Sequence, residues 1–405
     1  MRRLAAVAVR RSIGLMACPA LLVLVGLHIF GRSRPWEHEW LWAIYQYHFS
    51  TVLLGPAAAG LAAWEGFRAQ QAEDLLESSG RAGRAVALAW AAVFAWVLVA
   101  YTAGLLTVLA LVKLSGTPGL PRSPELLTLL PALALLAGET STSFAVAWRV
   151  RSPLVAPAAA IAWFLVTLLL YVGGPEAAIR VGGATTSLVG LRPRPDVQAA
   201  QVLFYVSLAV LSLLSMRRRV YAERFRLRAL RLAGLAVPAL PAILLASLGP
   251  NVLERVPTRL ACFGRHPLLC AAPGYVNRLP EVRAVLRPYL AALEAIGVDT
   301  PTRFDQSAPP GSAAAPLPIE IFLRTSDHEV ARSTVLQWYE RSGCNVSGNV
   351  RLVQDYVGLD YWLEAQATGE HPDDPTLPRA LAKGTEDQQA IWVRRALGDL
   401  QACAA

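Results

Sequence analysis

Charged residues are scarce in this chain. Only 17% of its 405 residues are Asp, Glu, Lys or Arg. With a mean hydropathy of +0.40, that shortage excludes an ordinary soluble enzyme. Several catalytic signatures are also missing. The sequence has no G-x-x-x-x-G-K-[ST], so nothing in it cradles a triphosphate. It has no G-x-S-x-G nucleophile elbow and no C-x-x-C pair. Acidic residues are fewer than basic ones, 29 against 38, which leaves a formal charge of +9. Many arginines bracket apolar blocks. Positive-inside topology accounts for them, and no nucleic-acid partner is expected.

What is present is organised around residues 216–249. A cationic run, MRRRVYAERFRLRALR, meets an apolar run of about 17 residues, near the lower limit for crossing hydrocarbon. Such arginine density favours the cytoplasmic side. If the apolar run crosses, the chain divides into a membrane part, 1–249, and an extracytoplasmic part, 250–405. Pro238 and Pro241 lie inside that run and free backbone carbonyls, which neighbouring helices must satisfy.

Seven spans are expected. Arg2, Arg3, Arg10 and Arg11 precede residues 13–30, a retained first helix, because no small-x-small cleavage site follows. The connection 31–47 carries Trp36, Trp40, Trp42, Tyr45 and Tyr47, which are expected at the lipid–water boundary. His28, His38, His48, Glu37 and Glu39 nearby lack a metal-ligand spacing. The further spans are read at 49–67, 85–114, 124–148, 153–172, 201–216 and 232–248. Arg149 and Arg151 lie in a tight basic turn, and 173–200 is an external loop whose middle, 181–191, dips into the interface. Loops assigned inside carry roughly sixteen Lys and Arg, and those assigned outside roughly seven. That difference puts the N-terminus in the cytoplasm.

Beyond Gly249 a small, mostly helical domain is expected. Helices are read at 278–297, from 326 to about 341 after a Ser326/Glu329 capping box, around Leu352–Leu363 with a stop near Gly369, and after a Thr385/Gln388 box. Residues 305–318 read as a Pro/Ala/Ser/Gly linker, and 319–323 as one short strand. Cys262, Cys270, Cys344 and Cys403 all fall in this part, and an even count outside the cell suggests two disulfides. The preferred pairing is 262–270 and 344–403, out of three connectivities. Zinc, with His266 or His328, is the rival. His328-Glu329 resembles half of a zincin helix, but Arg332 stands where the second histidine belongs. No cofactor is expected.

Two carboxylates fall inside spans. Glu139, within Gly138-Glu139-Thr140-Ser141-Thr142-Ser143, is a functional candidate by its depth. The alternative is interhelical hydrogen bonding through the flanking hydroxyls. Glu65 lies near the cytoplasmic end of its span and is expected to snorkel. The polar connection 68–84, with Arg68, Glu73, Asp74 and Arg84, is a cytoplasmic loop that suits an amphipathic helix.

Two stretches carry a family resemblance. One is Ser143-Phe144-Ala145-Val146-Ala147-Trp148-Arg149-Val150-Arg151-Ser152-Pro153, a small-residue helix running into a basic turn and a proline-started helix. The other is Cys262…Cys270-Ala271-Ala272-Pro273-Gly274-Tyr275 followed by Leu279-Pro280-Glu281. With the layout of spans, they resemble the membrane subunits of type-two ABC exporters, in particular actinobacterial permease-like proteins with an extra external C-terminal domain. The resemblance implies a permease half in an export or self-protection system, paired with a separate cytoplasmic ATPase and working as a homodimer or heterodimer in the bilayer. In that reading 68–84 is the ATPase-docking surface. A membrane-anchored external binding or sensory protein is the rival, and a degenerate membrane peptidase a third.

Overall fold

The computed structural model describes residues 2–31, 34–71, 82–172, 181–184, 186–217, 239–249, 251–309, 312–322, 327–340, 346–369, 378, 381 and 384–403. The chain divides into two compact units. The first comprises Met1–Leu114 and Gly119–Val256, the second Ser115–Pro118 and Pro257–Ala405.

The first unit is a helical bundle. A short helix α1 (Arg2–Arg11) precedes α2 (Ile13–Phe30), and Ser12 breaks them apart, its side chain accepting the Gly14 N–H as an N-cap. Next come α3 (Trp40–His48), α4 (Thr51–Gln71) and α5 (Ala82–Leu114). The fourth expected span is two pieces, α6 (Ser123–Leu127) and α7 (Leu129–Val150), joined at Thr128. It stops at Arg151, which adopts a left-handed conformation (φ 57°). Then follow α8 (Val155–Val172), α9 (Pro195–Arg217), which starts earlier than expected, and α10 (Ala239–Leu248).

Four segments among the described residues are long and apolar enough to cross a membrane: Ile13–Phe30, Ala85–Leu114, Ser123–Val150 and Pro195–Met216. Helix α4 is not among them, and its position explains why. It packs against α7, α8, α5 and α2, and Leu54, Ala58, Ala59, Ala62 and Ala63 on it are buried. A helix enclosed by protein needs small residues for close approach more than it needs lipophilicity. The peripheral α8, by contrast, exposes Ile161, Phe164, Leu165 and Leu169.

The contacts sort the bundle into two ends. At one, Ala62, Val93, Phe144 and Trp148 pack with Ile13, Trp90 and Met216, and Arg149 donates to the Ser215 carbonyl. At the other, α3 meets the segment before α9. Trp42 Nε1 donates to the Ala184 carbonyl, Gly183 N–H donates to the Tyr45 carbonyl, and the Glu39 carboxylate accepts from Ser187 Oγ and Leu188 N–H. Gly182 (φ 75°) must be glycine here, because a Cβ would strike His48 and the Tyr45 carbonyl. Leu245 of α10 lies among Val197 and Ala200 of α9. Just beyond, strand β1 (Leu191–Pro193) pairs antiparallel with β2 (Leu253–Arg255), and Arg194 donates to the carbonyls of Leu248 and Asn251. The chain therefore leaves α9 at one end and is found again, by Leu248, beside its start. The 23 residues of α9 span about 35 Å.

This packing corrects the reading of the aromatic connection. Trp36, Trp40, Trp42, Tyr45 and Tyr47 are buried within the unit rather than set at its surface. The cause is the segment around Gly182–Leu191, which packs over α3 through the bonds just described.

The second unit holds the expected helices and, beside them, a small sheet that was not expected. Strands β3 (Ala261–Phe263), β4 (Leu268–Ala271), β5 (Arg303–Asp305) and β6 (Ala315–Pro316) form one sheet in that order, antiparallel for the first pair and parallel for the rest. Residues 305–318 thus contribute to the ends of two strands rather than acting as a free linker, and 319–322 form turns, not a strand. Strands of two to four residues leave too little alternation to read. Asp305 fixes the corner by accepting from Ser307 N–H, Ser307 Oγ and Arg303 Nη2. Helix α11 (Leu279–Ala295) crosses between β4 and β5 and buries Leu279, Val282, Leu286, Leu290 and Leu293. Helices α12 (Asp327–Tyr339), α13 (Val350–Thr368) and α14 (Glu386–Ala402) complete the unit. The Gly369 stop and the Thr385/Gln388 capping box are present as expected. Ser326, the other proposed cap, lies outside the described residues.

Candidate functional site

The centre of the bundle is the contact of α4 with α7. Gly66 faces the backbone of Phe144 so closely that an added Cβ would stand 2.5 Å from its carbonyl oxygen. Three turns earlier on α4, Gly55 faces the Glu139 side chain, and a Cβ there would overlap Oε2. Both glycines are needed for approach rather than for conformational freedom. Gly66→Ala meets backbone that cannot rotate aside, and is expected to cost about 1–3 kcal/mol of bundle stability, read as a lower melting temperature in detergent. A melting temperature equal to that of the wild type would show that the contact is looser than described.

Glu139 is 0% exposed, and neither carboxylate oxygen has a hydrogen-bond partner among the described residues. The flanking hydroxyls do not reach it. Thr140 donates to the Leu136 carbonyl, and Ser141 and Thr142 both donate to that of Gly138. The interhelical bonds here come from indoles instead: Trp163 Nε1 donates to Ser143 Oγ, and Trp90 Nε1 to Thr140 Oγ1.

Glu65 does not snorkel. Its Oε2 accepts from the Ile13 N–H at 3.2 Å and from Arg68 Nη1 at 3.3 Å, so the end of α4 caps the start of α2. Of the residues expected on the docking surface, Arg68 is thus engaged in that cap, and Arg84 lies in the first turn of α5. Glu73 and Asp74 lie outside the described residues.

The chain matches no protein-family model, no curated protein and no solved structure. The site has to be understood from its own side chains.

One constellation was not legible in the sequence. His48 is fully buried, with Nε2 3.0 Å from Thr128 Oγ1 and Nδ1 2.8 Å from the Tyr101 hydroxyl. The Thr128 hydroxyl donates its single proton to the Glu125 carbonyl at 2.6 Å, so it must accept from Nε2. That assigns the Nε2–H tautomer, and Tyr101 therefore donates to Nδ1. The chain Tyr101–His48–Thr128–Glu125 ties α3, α5 and the α6–α7 junction together. It borders a small recess lined also by Tyr45, Gly182, Gln198 and Gln201. No spacing signals this site, because its members are far apart in the chain.

In the second unit, Cys262 and Cys270 face each other across β3 and β4 and form a disulfide. Cys403 is also disulfide-bonded. Its expected partner, Cys344, lies outside the described residues. Cys18 is a buried free thiol. Arg332, the residue standing where a zincin would have histidine, is 8% exposed and pairs with Asp360 (2.8 Å) and Glu364 (3.3 Å). His328 Nδ1 lies 2.8 Å from the Tyr289 hydroxyl. Among the described residues no three His, Cys, Asp or Glu side chains gather to hold a metal.

Proposed function

We propose that this chain is the seven-span, permease-like subunit of an export or self-protection system driven by a separate cytoplasmic ATPase. The observation that carries the reading is the α4–α7 core: two helices packed to backbone contact, with an unpartnered carboxylate between them, inside a bundle of membrane-length helices. Such a core can move as two bodies, and the chain has no triphosphate motif to drive it. The alternation of the helices between the two ends supports seven crossings, with α4, α8 and α10 added to the four most apolar helices. The end holding Arg10, Arg11, Arg68, Arg149 and Arg151 is assigned to the cytoplasm. The second unit is then extracytoplasmic, which suits its Cys262–Cys270 disulfide. The ATPase docks at the 68–84 connection, and two copies, identical or related, form one path.

The test is purification of the tagged full-length chain from its own membranes after mild cross-linking. An ATPase recovered in stoichiometric amount, and lost when Glu73 and Asp74 are replaced by alanine, supports the reading. A chain recovered without an ATPase, or a reporter fused after Ala405 that proves cytosolic, overturns it. One observation favours a second reading, an external binding or sensory protein: the second unit has its own core, sheet and cross-links. That reading takes over if no ATPase is recovered and the C-terminus is outside.

A further inference from the structure

The Glu139 carboxyl is an ionisable group at the α4–α7 contact whose chemistry none of the described residues completes. Each helix packed against α7 withholds a charge partner. Helix α4 presents Gly55, with Glu65 nearly three turns further on and Arg68 most of a turn beyond that, the two engaged with each other. Helix α9 presents Tyr205, against Gly138. Helix α8 has no ionisable residue between Val155 and Leu169. On α5, Trp90 is committed to Thr140, and the hydroxyl of Tyr101 to His48. A carboxylate with neither an ion partner nor a hydrogen-bond donor is the most expensive state in which to bury this group.

A ligand must therefore complete it, and its size is bounded. A single methyl added at Gly55 would overlap Oε2, so no hydrated cation fits between α4 and the carboxyl. A proton does. Pro56 supplies a complementary feature on α4. Lacking an N–H, it leaves the Val52 carbonyl without its helical donor, on the turn that precedes Gly55.

We propose that Glu139 is a proton-binding site of the α4–α7 contact. The carboxyl holds its proton while the two helices are closed. It releases the proton to water, becoming a carboxylate, when they part. Helix separation is thereby coupled to proton uptake and release, independently of whether an ATPase drives the motion.

Infrared difference spectroscopy tests this on the full-length chain in lipid nanodiscs at neutral pH. Wild type minus Glu139→Gln is expected to contain a protonated-carboxyl stretch that shifts in heavy water. Glu139→Gln, an isostere of the protonated acid, is expected to keep the wild-type melting temperature. Gly55→Ala, which wedges the helices apart at the carboxyl, is expected to lose the band. A difference spectrum showing only carboxylate bands overturns the proposal. So does a large fall in melting temperature for Glu139→Gln, because it would reveal an ionised group paired elsewhere.

Discussion

Alanine at position 48 is expected to destabilise the bundle by about 2–4 kcal/mol. His48 bridges the Tyr101 hydroxyl and Thr128 Oγ1. Its removal leaves a buried phenol without an acceptor and a threonine oxygen without a donor, and it opens a void the size of an imidazole. Each hydrogen bond alone contributes modestly, about 0.6–1.7 kcal/mol, because separated membrane helices still find other partners. The unfilled volume makes up the rest, so His48→Phe, which fills the space but cannot bond, should recover part of the loss and not all. Melting of the three proteins in the same detergent decides it. If His48→Ala melts with the wild type, the assigned chain of donors is not what holds α3 to α5 and to the α6–α7 junction.

Arg332→Ala is the second large effect, about 2–4 kcal/mol in the second unit. The guanidinium is buried and bridges Asp360 and Glu364, which stand one turn apart on α13. Without it, two like charges are left side by side and the arm that packs between α12 and α13 is gone. The carboxylates are about a third exposed, so solvent limits the penalty below that of a sealed pair. Arg332→Met retains the packed arm and isolates the electrostatic part. Limited proteolysis of the full-length chain reads the outcome: faster cleavage within the second unit for alanine, intermediate for methionine. Equal rates for all three would mean that the cluster is a solvated surface pairing with no structural weight.

The same residue shows how far a motif carries. In sequence, Arg332 marks the place where a metal-binding helix fails. In the fold it joins α12 to α13, a role that depends on a helix beginning 18 residues later.

What the sequence determined by itself is what depends on local pattern: the apolar runs, the Arg-bracketed turns, the amphipathic helices of the second unit, the Thr385 cap, the Gly369 stop, and the preference for pairing Cys262 with Cys270. Each of these lies within one element or between near neighbours, where spacing is already geometry. Only the tertiary structure decided which faces meet. It made α4 the enclosed helix and so explained its low apolarity. It drew the aromatic connection inward beneath a loop more than a hundred residues away. It turned Glu65 from a snorkelling side chain into the cap of α2, built a sheet from strands too short to show a period, and set Glu139 against Gly55 without a partner. These outcomes depend on contacts between distant residues, and composition cannot express a distance between side chains that the chain brings together only when it folds.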